Sequence, residues 1–204
     1  MGLFFAAAPA ANAAIFEPGF ETEVVAGGFN LPVNMAFAAD GRIFIAEKNG
    51  VVRLIKNGAL VATPVITLSD VNAFGDRGLL SVELDPAFLS NGYMYLAYTF
   101  ENTPGLNYTG PKTGRIVRVT VVGDTASEAS KVVLVGTVSG DAASPSCKNF
   151  ATTSDCIPSD SPSHSVGSLR FGPDGKLYEI QPIPPLPPAK KEYVDKKGNY
   201  VREY

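Results

Sequence analysis

Apolar positions recur along this chain in short alternating runs punctuated by tight-turn dipeptides. Met35 to Ala39 is apolar, Asp40-Gly41 turns, and Ile43 to Ala46 is apolar again. The design returns from Leu169 through Asp174-Gly175 to Tyr178, and more loosely from Leu80 to Leu84, then Asn91-Gly92 and Tyr93 to Ala97. Strand, Asx-Gly, strand is a hairpin signal, because glycine supplies the positive φ such a turn needs. A further hairpin fits between the first two copies: Val51 to Ile55, then Lys56-Asn57-Gly58, then Val61 to Leu68. The unit is therefore about four strands in roughly 40–50 residues, the pattern of a propeller blade. A β-sandwich would use the same hairpins, but the repetition favours the propeller.

The longer gap before the third copy predicts a polar insertion over about residues 123–163. Residues 20–180 supply about three blades, whereas closed propellers have ~4–8. We therefore expect an all-β, incomplete β-propeller whose open blade edges invite self-association. The Pro-rich run 182–188 has five prolines, cannot pass through a sheet as a central strand, and predicts a polyproline conformation. Residues 181–204 thus read as a tail outside the propeller, Pro-rich and then charged.

Composition narrows the function. The 204 residues carry a net charge of −3 and form no Lys/Arg stripe, which argues against nucleic acid. The opening Gly2 to Ala14 is Ala-rich and apolar, with Ala11-Asn12-Ala13 matching a small-x-small cleavage pattern. It predicts the remnant of a signal peptide over 1–14 and a secreted or periplasmic location, with a frayed terminus as the alternative. The run is too short for a membrane span. Cys147 and Cys156 lack zinc-site spacing and read as one disulfide in an exported chain, or as two free thiols in a cytosolic one. The triplet Asn107-Tyr108-Thr109 is compatible with export. No Gly-rich dinucleotide fingerprint, phosphate loop or nucleophile elbow is present.

His164 is the only histidine. By composition alone, a histidine in a Ser/Pro loop is a surface residue. However, His164-Ser-Val-Gly-Ser-Leu-Arg-Phe-Gly-Pro-Asp-Gly-Lys-Leu-Tyr178 resembles a segment of the glucose/sorbosone dehydrogenases. Leu31-Pro32 with Asp40 to Glu47 is similar to that family's first blade, and Gly75-Asp-Arg-Gly-Leu-Leu80 through Tyr95 to its second. The resemblance covers residues 20–178, the N-terminal portion of a six-bladed fold. It implies a soluble quinoprotein that oxidises an aldose or sorbosone-type sugar, with pyrroloquinoline quinone (PQQ) and calcium as cofactors. His164 matches the general base. Asp76, with Arg77 beside it, falls where the family places a polar side chain facing the quinone. Turn chemistry and a solvated charge pair are the alternative reading of Asp76 and Arg77. Ser168 departs from the basic residue common there, and the blades that supply most quinone and calcium ligands lie beyond the match. A non-catalytic propeller module binding a protein or carbohydrate partner is the alternative function.

Overall fold

The computed structural model describes residues 19–103, 107, 109–140, 146–151, 154–163, 165–180, 191–194 and 200–203. The predicted signal remnant, His164 and the run 182–188 lie outside the described residues.

The first blade is the antiparallel sheet β1 (Pro32–Phe37), β2 (Ile43–Glu47), β3 (Val51–Lys56) and β4 (Ala59–Leu60), with β5 (Ile66–Thr67) also pairing β3. The second holds β6 (Leu79–Leu84), a single helical turn α1 (Phe88–Asn91), β7 (Tyr93–Phe100) and β8 (Lys112–Val122). Three short strands then pair with β8: β9 (Thr125–Ala126), β10 (Val132–Val135) and β11 (Ile157–Ser159). Part of the stretch read as an insertion is therefore blade: β10 is the outer strand of the second sheet. The third blade is represented by the hairpin β12 (Leu169–Phe171) and β13 (Leu177–Glu179). Within the charged tail, β14 (Lys191–Val194) pairs antiparallel with β15 (Tyr200–Glu203) as a separate two-stranded sheet.

The turn dipeptides work in two ways. At Ala38–Arg42 and at Gly172–Lys176 the hydrogen bonds are the same. The fourth residue donates to the first (Gly41 to Ala38, 3.0 Å; Gly175 to Gly172, 3.0 Å), and the first donates to the fifth (2.9 Å in both). In each, the aspartate Oδ1 accepts the amide two residues on, at 3.2 and 3.1 Å. Only the glycine has positive φ, as in a type I turn with a bulge. Asn57 and Gly58 both have positive φ (54° and 73°), the two-residue primed turn. Gly92 instead caps α1 in the left-handed region.

The inner strands β1, β6 and β12 stack as neighbours, and each junction is a separate apolar core. Between the first and second blades lie Phe44, Val52, Leu54, Val82, Leu96, Tyr98 and Val117. Between the second and third lie Ala97, Ile116, Ile157, Val166 and Leu169. Alternate residues of β7 serve alternate junctions, Met94, Leu96 and Tyr98 on one face and Tyr95 and Ala97 on the other. That is why this central strand is apolar almost throughout.

A polar clasp repeats across the junctions. Asn34 Oδ1 on β1 accepts the Val82 amide of β6 at 3.2 Å, and Ser81 Oγ on β6 accepts the Leu169 amide of β12 at 2.9 Å. Aligned on the turns, Asn34, Ser81 and Ser168 are equivalent positions. Both β1 and β6 bulge just before this residue. Ser81 and Leu169 are fully buried, so Ser81→Ala strands an amide donor. The expected cost is about 1–3 kcal/mol, read as a lower urea midpoint together with faster exchange of the Leu169 amide.

Candidate functional site

The blades present two different ends. The turn end carries Asp40-Gly41, Asn57-Gly58 and Gly123-Asp124 around a shallow concavity. Its charges neutralise one another: Arg42 pairs with Asp40 (2.9 Å) and Asp124 (3.5 Å), and Lys56 with Asp124 (2.7 Å). The opposite end is formed by the segments that lead into the inner strands, and here buried polar groups converge.

The first such segment is 72–78. Its fold is set by Asn72, whose amide donates to Thr99 O (2.9 Å) and whose Oδ1 accepts the Phe74 amide (3.2 Å). Arg77 N then closes a turn onto Phe74 O at 3.1 Å. Two glycines let neighbouring backbone come close. A Cβ on Gly78 (φ 151°) would stand 2.5 Å from Lys48 O, and one on Gly75 (φ 61°) would stand 2.7 Å from Pro162 O. The motif Gly75-Asp-Arg-Gly78 is thus held between the β2–β3 turn and the second segment, 159–166.

That second segment is pinned on both sides of residue 164. The Asp76 amide donates to Pro162 O at 2.8 Å. Ser165, buried, shares hydrogen bonds with the hydroxyls of Thr99 and of Ser159, the latter at 3.1 Å. Val166 inserts into the junction core. Arg77 Nη2 donates to Ser159 O at 2.7 Å from a fully enclosed position. Burial draws the Arg77 pKa below the ordinary arginine value, opposed by the charges of Glu101 and Asp160.

Under the 72–78 segment lies a charge pair. Glu101 (0% exposed) accepts from Lys112 Nζ at 2.7 Å, from Asn72 Nδ2 at 2.6 Å and from the Thr103 amide at 3.1 Å. Nearby, Asp70 accepts from Lys131 (2.8 Å), Arg115 (3.4 Å) and Tyr98 OH (3.1 Å). Burial, with the Asp70 carboxylate, drives the Tyr98 phenol pKa up.

The structure therefore brings together Asp76, Arg77 and the segment that carries His164, but it separates the two charges. Asp76 is exposed, whereas Arg77 is interior rather than half of a solvated pair. Cys147 and Cys156 form a disulfide. Beside it, Ser146 Oγ donates to Asp160 Oδ1 at 2.6 Å. Sequence reasoning missed Glu101, Lys112 and the Thr99–Ser165 hydroxyls. A trace was available, since Glu101 directly follows the largely apolar β7 and Lys112 opens its hairpin partner β8, so opposite charges stand at adjoining strand ends. Among the described residues no group of three or more His, Cys, Asp or Glu could hold a metal ion, and no helix is long and apolar enough to cross a membrane.

Sequential antiparallel blades stacked through their inner strands, with polar segments gathered at one end, define part of a β-propeller. Residues 29–180 match the model of the glucose/sorbosone dehydrogenase family. The chain belongs to that family. It is 27% identical to quinoprotein glucose dehydrogenase B of Acinetobacter calcoaceticus over 162 residues, 78% of this chain and 30% of that protein. It is 34% identical to mouse Hedgehog-interacting protein over 83 residues, 37% of this chain and 12% of that protein. Among solved structures, an oxidoreductase of Thermus thermophilus described as a glucose dehydrogenase is similar, with a TM-score of 0.54 and 27% identity. That match covers 78% of this chain and 39% of the other. The chain spans well under half the length of these relatives.

Proposed function

We propose that this chain supplies the base-bearing, N-terminal part of a quinone-dependent dehydrogenase that oxidises an aldose or sorbosone-type sugar outside the cytosol. The supporting observation is the bond from the Asp76 amide to Pro162 O (2.8 Å), which ties the 72–78 segment beside the segment holding His164. In this reading His164 accepts the proton of the sugar hydroxyl. Asp76 is exposed on the neighbouring segment. Arg77 acts from beneath, holding Ser159 O and so the path of the chain toward His164.

PQQ, when bound, would take the oxidising role, and an anionic quinone needs accessible cations. The cations packed around the 72–78 segment do not by themselves fit it. Arg77 is fully buried on Ser159 O and Lys112 is buried on Glu101. Lys48, half-buried, gives its ammonium to Ala73 O at 2.8 Å. The seat for quinone and calcium in this reading is completed by further residues. The disulfide and the Ala-rich opening support export. A second reading, a non-catalytic exported module that binds a partner, draws on the likeness to Hedgehog-interacting protein.

The two readings part in a graft. Residues 29–180 are placed in the matching portion of a sugar dehydrogenase of the family, and dye reduction is followed with added PQQ, calcium and sugar. Quinone- and sugar-dependent reduction is expected. A folded graft that binds quinone yet oxidises no sugar would leave only the module reading.

A further inference from the structure

We propose that Asn107 is an acceptor for an N-linked glycan, set at the rim of the loop end. Asn107-Tyr108-Thr109 is the only Asn-x-Ser/Thr triplet in the chain, and by itself such a match is weak. The structure adds two observations. Asn107 and Thr109 are both exposed. The Asn107 carboxamide is also oriented, because its Oδ1 accepts the Ala73 amide at 2.9 Å. Among the described residues its Nδ2 has no hydrogen-bond partner, so the nitrogen a glycan takes is the one left over.

The donor class is a lipid-pyrophosphate-linked oligosaccharide. The bond from Nδ2 to the sugar's anomeric carbon forms as the bond from that carbon to the pyrophosphate oxygen breaks. Nδ2 gives up one proton to the transferase, lipid pyrophosphate leaves, and nothing is oxidised or reduced. The Cys147–Cys156 disulfide suits the oxidising compartment in which such transfer occurs. Ala73, the residue that orients Asn107, also accepts Lys48 Nζ through its carbonyl and directly precedes Phe74 to Arg77. A glycan at Asn107 would therefore stand beside the segment that bears Asp76.

The test is translation of the whole chain, behind a cleavable leader, with microsomes from a secretory compartment. The expected product is protease-protected, heavier by one glycan, and restored to its original mass by a glycosidase. N107Q and T109A should abolish the shift, and T109S should keep it. Amide exchange at Ala73 should stay slow on the glycosylated chain and speed up in N107A. A protected, disulfide-bonded chain of unshifted mass would overturn the proposal, as would a shift that survives N107Q. Faster Ala73 exchange on glycosylation would overturn the orientation argued for the carboxamide.

Discussion

Replacing His164 with alanine in the sugar-oxidising graft is expected to lower kcat by about 100- to 10,000-fold, the usual contribution of a positioned general base. KM should change little, because the imidazole is asked to act on a proton rather than to hold the sugar. The acid limb of the pH–rate profile should go with it. The physical case rests on how the segment is fixed. Pro162 is bonded from Asp76, Ser165 from Thr99 and Ser159, and Val166 is packed in the core, so the chain on either side of residue 164 has little freedom. A base on an anchored segment loses little entropy in reaching its working position. His164 is also the only imidazole that this chain contributes to the graft. A variant retaining full kcat would remove His164 from the reaction.

The second large effect lies beneath the site. Lys112→Met takes from the fully buried Glu101 its ammonium partner at 2.7 Å, while the Asn72 and Thr103 donors and the Arg77 charge stay beside it. Removing one partner of a buried pair costs about 3–5 kcal/mol. That is a large share of the ~5–15 kcal/mol that holds a typical domain together. For a chain of this size the melting temperature should fall by about 10 °C. Replacing Glu101 and Lys112 together with apolar residues should recover much of the loss, since the desolvation cost then disappears with the charges. Lys148→Met provides the contrast. Its bridge to Asp160 is nearly as short, at 2.9 Å against 2.7 Å, but the lysine side chain is 80% exposed. An exposed bridge contributes about 0–1 kcal/mol, so this variant should melt near the parent. Asn72 also opens the 72–78 segment, so loosening Glu101 should spread to Asp76 and Arg77.

How much of this was legible depends on the range of the interaction involved. Asp40-Gly41 and Asp174-Gly175 announced their turns because local backbone chemistry decides them, and the structure gives both the same hydrogen bonds. The nearly unbroken apolar run Tyr93–Phe100 is likewise what a strand buried on both faces requires. Arg77 was harder. A charge between two turn glycines reads as solvated, yet those glycines let Lys48 O and Pro162 O approach the segment, and Arg77 turns inward onto Ser159 O. Glu101 and Lys112 meet only because β7 and β8 are hairpin neighbours. The clasp of Ser81 on Leu169 joins residues of different blades, and neither residue carries a local sign of it. In the tail, Lys191–Val194 pairs with Tyr200–Glu203, although neither segment alternates apolar and polar residues, so no strand period announced the hairpin.

The central claim is that Asp76 and His164, far apart in sequence, serve one site at the loop end. The lone histidine makes a direct test possible, because the chain has a single set of imidazole proton resonances. A nitroxide attached at Asp76→Cys should broaden those resonances strongly, while the same label at Asn57→Cys, on the turn end, should leave them sharp. Equal broadening from both labels, or none from residue 76, would contradict the shared site and the proton-accepting role built on it.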